Sequence, residues 1–522
     1  MMPRILVPII AVIIVVAIAF FGFTTGGYVI HALLLAAPIV LMMASNIGMV
    51  FALVMGLRFS DLILPGLPQG LNMMDVVILF LIALILGGHS ITKQRMIRWS
   101  LSHYALLGFA LVLAIIIALR GIGIRFLGSN EWGGFAYIKI AIFIAFYLIC
   151  GRLRITEKQV KLGLILMLLL STVPAVAQAV FYLTGGAVYI QYMFLEAYTS
   201  GLLSTLDAVQ SDAGTARFYF TGLASALVVG AMAFFPLERR SRIFFVLFWM
   251  AGFFITLLSG FRGATVGIAG TTLIFLVLYY PRRRIVILTA STLAFTAILV
   301  GLTPFIPDLP AGVQRALSWV PWYDIPFFVK MDAAISTEWR LDVWNETMRK
   351  LPNYLLLGRG LTFNSAEVQA ALALRDTISW AYISHNYHSG PLSVLVTTGI
   401  PGAFLFVLFS IMIGLEGIKG MAMMRRQGTS VFMMRVYVVF LAHLLYSIAS
   451  FYLIYGDMKS SFPNLLFLAA LLQVLRLNFV SVPGVAVESA ESASALPDAA
   501  GITKKSLSLP YPAGQVVRGS AP

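Results

Sequence analysis

Cysteine is nearly missing from this sequence: Cys150 is the only one in 522 residues. No disulfide can form within the chain, so any loop outside a membrane must be ordered by packing alone. A single thiol also excludes a cysteine-based zinc or iron–sulfur site within one chain. Charge is scarce as well. Asp, Glu, Lys and Arg make up 11% of the residues, against roughly 25% in soluble domains. No internal repeat is evident.

What fills the space is apolar. Hydrophobic residues make up 60% of the chain and the mean hydropathy is +0.93, more than a soluble protein of this size could hide. Lipid must be the solvent for most of it. A spanning helix needs about 20 largely apolar residues, and such runs lie near 5–23, 29–57, 72–88, 103–119, 134–150, 162–183, 216–235, 242–259, 263–280, 284–304, 390–415, 432–455 and 461–478. The fold class that follows is all-α: a polytopic integral membrane protein of about 12 transmembrane helices, with 14 as the upper count.

The net charge of +15 does not imply nucleic-acid binding. The basic clusters Lys93-Arg95-Arg98, Arg152-Arg154-Lys158-Lys161, Arg239-Arg240-Arg242, Arg282-Arg283-Arg284 and Arg425-Arg426 sit in short gaps between apolar runs. That is how cytoplasmic loops look under the positive-inside bias. Placing them inside puts 184–215, 260–262, 305–389 and 456–460 outside. Residues Met1 to about Phe23, with Arg4 and Ala17-Ile18-Ala19, resemble a signal peptide. The run is long for one and many spans follow, so it reads as an uncleaved first helix. The next run carries Ser45, Asn46 and Gly48 near its middle and reads as broken or re-entrant.

This divides the chain into N-terminal membrane helices (1–304), a large outer loop (305–389), C-terminal membrane helices (390–478) and a tail (479–522). The tail is rich in Ala, Ser, Pro and Gly and reads as disordered and cytoplasmic. The loop holds Trp319, Trp322, Trp339, Trp344 and Trp380, five of the eight tryptophans, and its charges nearly balance. Ser336 or Thr337 is expected to cap a helix near 337–350, with Glu338 and Asp342 early, Arg349 and Lys350 late, and Pro352 as a stop.

Four residues fall on the outer side against the charge bias: Arg217 and Arg262 at the starts of spans, Arg340 on the loop helix, and His385 where the loop closes. The bland reading of each is a snorkelling or salt-bridged residue at the interface. Together they point to an anionic ligand at the membrane edge, because guanidinium forks pair with phosphate oxygens. The tryptophans suit sugar rings, or equally an interfacial anchor.

Three stretches resemble the bacterial O-antigen ligase and polymerase family. The turn Ser259-Gly260-Phe261-Arg262-Gly263-Ala264 resembles its Ser-x-Arg-Gly-Ala signature, with one residue more between Ser and Arg. Arg340, Trp344, Pro352 and Gly358-Arg359-Gly360 resemble its Arg…Trp…Gly-x-Gly stretch. His385-Asn386 with Gly399-Ile400-Pro401-Gly402 resembles its His-Asn…Gly-Ile-x-Gly signature. Arg217 with Gly222 is similar to an earlier Arg…Gly position, without the Asn-Pro-Asn that usually follows. The resemblance covers roughly residues 210–415.

The resemblance implies a membrane-embedded glycosyltransferase of the bacterial inner membrane, active on the periplasmic face and needing no metal or other cofactor. Its donor would be a glycan on a polyprenyl (undecaprenyl) pyrophosphate, its acceptor another glycan or a lipid-linked one. Other envelope-polysaccharide machinery could be a partner. Arg217, Arg262 and Arg340 would bind the pyrophosphate and His385 would be the general base, with His388 and Asn386 as accessory groups. An Asp-x-Asp pair, expected of a metal-dependent transferase, does not occur. His443, in mid-span, reads as a packing histidine. Two other classes remain open: a transporter or flippase for an anionic lipid-linked substrate, which would show mid-span charge (Lys139 is nearest), and a non-catalytic envelope-assembly component.

Overall fold

The structure, a computed structural model, describes residues 46–60, 72–89, 99–124, 131–183, 220–236 and 240–480. Contacts divide the chain into Met1–Val480 and Ser481–Pro522, and every described residue belongs to the first unit. The readings of residues 1–45, of Arg217 and of the tail lie outside the described residues.

The helices before the loop are α1 (Ile47–Gly56), α2 (Met73–His89), α3 (Leu101–Arg120), α4 (Phe135–Ile149), α5 (Glu157–Leu183), α6 (Thr221–Phe234), α7 (Arg242–Leu258), α8 (Arg262–Tyr279) and α9 (Arg284–Leu302). After it come α14 (Gly390–Arg426), α15 (Val431–Leu453) and α16 (Met458–Phe479). Among the described residues, eight helices are long and apolar enough to cross a membrane and four more are apolar but shorter. The protein is an all-α, polytopic membrane protein.

Polar residues stop and start these helices where apolar runs alone would not. Asn72 and Asp75 cap α2 reciprocally: each backbone N–H reaches the other's side chain, at 2.9 and 3.1 Å. Lys139 of α4 reaches the same Asp75 carboxylate at 3.4 Å, so the mid-span cation picked out in the sequence has a structural partner.

Helices that are apolar all round differ sharply in what they face. The spanning window of α16 is 72% buried within the protein, and that around α9 only 6%. The first is the centre of the bundle. The second is a peripheral helix turned almost wholly to its surroundings, with Leu299 as its one buried residue.

Between α9 and α14 the chain forms a folded insert: α10 (Ala311–Ala316), α11 (Phe327–Lys350), α12 (Ser365–Ala373) and α13 (Thr377–Ile383). A two-residue strand, Phe363–Asn364, pairs antiparallel with Glu131–Trp132 and ties the insert to the α3–α4 connection. Helix α11 ends at Lys350 as expected but begins at Phe327, well before Ser336. The apolar stretch after Pro326 continues the helix, and Thr337 sits inside it, its hydroxyl donating to the Ala333 carbonyl at 3.0 Å instead of capping an end.

The run expected at 390–415 is also longer. Helix α14 extends to Arg426 and is broken at Gly399, whose φ of 68° is a left-handed conformation. At 1.5 Å per residue it would measure roughly 55 Å, well beyond the roughly 30 Å hydrocarbon core, so a bend at Gly399 is needed. The backbone of 355–360 packs into that bend. Arg359 N donates to the Val396 carbonyl at 2.7 Å, Gly360 N to Thr397 at 3.0 Å, and Ile400 N to Leu355 at 2.8 Å. A Cβ on Gly358 would stand 2.1 Å from the Thr397 oxygen. Two glycine motifs far apart in sequence are thus one joint.

Candidate functional site

Helix α8 opens directly after the turn Ser259-Gly260-Phe261, with Gly260 at φ +69° and Arg262 as its first residue. Its N-cap residue Phe261 offers no side-chain cap, and among the described residues no atom stands within 4 Å of where a Cβ on Gly263 would lie. The helix dipole and the arginine therefore add their positive potentials at this helix start. The turn is braced from above by α10. Arg315, buried, donates to the Gly260 carbonyl at 3.4 Å and pairs with Asp332.

Helix α11 shows why Arg340 faces the protein. Its buried residues are Val329, Ala333, Val343 and Thr347, a stripe at helical spacing in which Arg340, half-buried, occupies the position between Ala333 and Val343. Arg262 Nη2 donates to the Ala333 carbonyl at 3.4 Å. Ala333 and Arg340 lie two turns apart on one face, a rise of about 10 Å. Arg262 and Arg340 therefore flank a single strip of α11.

The corner at 384–388 is built from strained backbone. His385 and His388 both have positive φ, 58° and 55°, a conformation costing L-residues roughly 1–2 kcal/mol. Three contacts hold it. Trp344 Nε1 donates to the Tyr387 carbonyl at 2.8 Å, Lys459 Nζ to the Ser384 carbonyl at 2.6 Å, and the His388 backbone N–H to Asp457 Oδ1 at 2.9 Å.

The two histidines then face different ways. His385 is 3% exposed, its Nδ1 3.1 Å from the Tyr387 hydroxyl and its Nε2 near the Leu361–Thr362 backbone without a well-formed hydrogen bond. Burial, reinforced by the Arg359 and Lys459 charges, holds its pKa well below the usual imidazole range. The His388 side chain is 20% exposed. It packs edge-on to Trp339, with centroids 5.3 Å apart, and against Tyr455 at 5.1 Å. Arg340 lies over the same Tyr455 ring at 6.0 Å. Burial first, then Arg340 and Lys459, bring His388 down to about 4, so it is neutral at pH 7. Its Nδ1 stands 3.9 Å from Asp457 Oδ2, too far for a hydrogen bond, and a neutral ring makes no ion pair. Burial pushes Asp457 up to about 6.

Arg340, His388 and the α8 start thus share one end of the bundle, with His385 in the layer behind. Asn386 Nδ2 bonds the Ser384 hydroxyl at 3.1 Å and shapes the corner. Sequence reasoning did not single out Tyr455, Asp457 and Lys459, although two charges in a gap as short as 456–460 were a usable signal. It quoted Arg359 only as part of a glycine motif. That residue bonds the Tyr382 carbonyl at 3.0 Å and Glu367 at 2.9 Å and supports the corner from below.

Comparison with known proteins converges on the same stretch. Residues 243–407 match the family model described as O-antigen ligase. The matched segment contains Arg262, Arg340, His385, Asn386 and His388, and stops short of Tyr455–Lys459. No curated protein matches the chain. Over residues 243–407 the chain is thus similar to the O-antigen ligase family, which supports the resemblance read from the sequence.

Proposed function

We propose that the protein moves a glycan from a polyprenyl-pyrophosphate carrier to an acceptor hydroxyl at the membrane surface on the side of the loop insert. It would act as a polysaccharide polymerase or an O-antigen ligase. The family supports glycosyl transfer in O-antigen or polysaccharide assembly. The observation that carries the finer reading is the strip of α11 between Ala333 and Arg340, met by Arg262 at one end and by His388 at the other. In this reading the loop side is periplasmic, because the described basic clusters, such as Arg282–Arg284 and Arg425–Arg426, lie at the opposite helix ends.

The chemistry assigns each group a task. The acceptor oxygen forms a bond to the anomeric carbon while the bond from that carbon to the pyrophosphate oxygen breaks, its electron pair leaving with the phosphate. Arg262 and Arg340 would bind the growing negative charge, doing what a divalent ion does elsewhere. Arg217, from its motif, would be a third such residue. The acceptor's proton passes to an imidazole. His385 is the family-motif candidate, buried with its Nδ1 on the equally buried Tyr387 hydroxyl, whereas His388 is the more accessible of the two. A base near pKa 4 is weak at neutral pH. A bound pyrophosphate would offset the Arg340 charge and raise His388 toward the range where proton transfer is efficient.

A transporter would place its charges near the bilayer midplane. Here Lys139 is paired to Asp75, and Arg262 starts a helix, which favours chemistry at the surface. The direct test supplies purified protein with a radiolabelled lipid-linked glycan. Formation of a new glycosidic bond is expected. Movement of the lipid across vesicles with no bond formed would sink the reading. Glycans from a deletion strain then separate the two acceptors: single repeats on the final acceptor for a lost polymerase, long chains stranded on carrier for a lost ligase.

A further inference from the structure

We infer that the first half of the loop insert, residues 303–335, is seated in the membrane leaflet on its own side, with lipid covering its apolar outer surface. The starting point is α9. Ile285, Val286 and Leu293 are 75%, 68% and 65% exposed, so this helix faces lipid along its length. The insert does not rise away from it. Trp319 stacks on Phe295 of α9, centroids 6.3 Å apart and planes at 6°. Phe295 lies about 10 Å down the helix from Leu302. Tyr323 donates its hydroxyl to the Leu299 carbonyl at 2.5 Å, fixing the same descent one turn higher. The insert therefore runs back beside the lipid-facing helix to a depth where α9 itself is in hydrocarbon.

The rest of the segment fits that solvent. Phe305, Trp319, Trp322, Phe327 and Met331 are 59%, 48%, 53%, 78% and 46% exposed. Trp319 joins this apolar surface to α9, and Phe327 and Met331 stand one helical turn apart on α11; the exposed charges Asp308 and Asp324 would have to lie at head-group level. Lys330 is exposed between Phe327 and Met331 and is long enough to snorkel to head groups. Backbone in lipid must be satisfied internally, and the segment has a device for this. The buried Gln314 side chain donates to the carbonyls of Ile306 and Pro307, at 3.0 and 3.1 Å, at the end of the 3-10 turn Thr303–Asp308. Lipid is favoured over a protein partner because Trp319 and Tyr323 join the segment directly to the exposed helix α9. This seat does not depend on the glycosyl-transfer reading.

The test uses the full chain in phosphatidylethanolamine/phosphatidylglycerol vesicles, with a nitroxide on single-cysteine variants W322C, F327C and M331C. The unsubstituted chain, whose only thiol is the buried Cys150, is the labelling blank, and L374C, at a position 77% exposed on the other half of the insert, is the aqueous control. Collision with oxygen is expected to exceed collision with a water-soluble nickel chelate several-fold at 322, 327 and 331, and the order to reverse at 374. Nickel preference at the three positions would overturn the proposal in favour of water. Exclusion of both probes would overturn it in favour of a protein partner. As a second reading that needs no label, lipid brominated on its acyl chains should quench more tryptophan emission in the unsubstituted chain than in W319F/W322F; equal quenching would count against lipid.

Discussion

Helix α8 has an arginine at each end, and the two do opposite things. At the C-terminal end, Arg425 from α14 donates to the carbonyls of Leu278 and Tyr279, the latter at 3.3 Å. There the helix dipole is negative and a cation is at home. At the N-terminal end Arg262 adds its charge to the positive pole, where an isolated helix would favour an acidic residue. The first arrangement stabilises the fold by itself. In the second the charge and the dipole have the same sign, and under the proposed function this is the end that would meet the pyrophosphate. The same contrast separates the exposed Arg282–Arg284 cluster from Arg340, which sits in the buried stripe of its helix.

The comparison breaks most visibly at the two inward arginines. R262Q and R340Q should each lower glycan transfer by about 10²–10³-fold, the size seen when one donor to developing charge is removed, with normal protein levels. R425Q should stay within about twofold. Equal losses in R340Q and R425Q would erase the distinction between the two ends.

Next in size is the choice of imidazole. H388Q is expected to cost about 10²-fold and more than H385Q. If H385Q does the greater damage, the buried ring is the base, and Y387F should then share its loss. D457A should cost about tenfold in rate, as it leaves the His388 backbone N–H unpaired in a buried corner. D457N, which keeps an acceptor oxygen, should recover most of it; no recovery would mean that the carboxylate charge itself matters.

The smallest effect is on stability in acid. His388 titrates at about 4 in the fold against 6.5 unfolded, so the unfolded chain binds the extra proton. Stability from this group is complete above pH 6.5, falls as the pH drops from there to about 4, and changes no further below. Asp457, raised from 3.8 to about 6, acts in the opposite sense: what it contributes is present at low pH and lost as the pH rises through 6. The clean comparison is therefore D457N against D457N/H388Q by thermal melting. The double variant should be flatter between pH 6.5 and 4, by at most about 3 kcal/mol; parallel curves would show that His388 is not held neutral.

Much of the fold was legible because lipid imposes a plain code. Long apolar runs and basic gaps located the spans of α3, α8, α15 and α16 to within a few residues. The motif at Arg262 was legible because a glycine turn before a helix is a local feature. The start of α11 was not, since Thr337 looks the same in sequence whether it caps a helix or bonds back within one. Nor was the division of labour at 384–388. Which histidine faces out depends on contacts from Lys459 and Asp457, some 70 positions away, and on left-handed backbone that histidine does not advertise. Arg217 and the first 45 residues lie outside the described structure.

The joint between Gly358 and the Gly399 bend has a consequence for how such a protein can change over generations. A side chain at Gly358 meets a carbonyl on the other strand of the joint at 2.1 Å, so neither half can drift alone. The chain between them, by contrast, leaves the joint and returns to it. Insertions and deletions around α12 are therefore cheap, while single substitutions in either glycine motif are not. Homologues should vary in the length of that excursion and hold its two anchor points together.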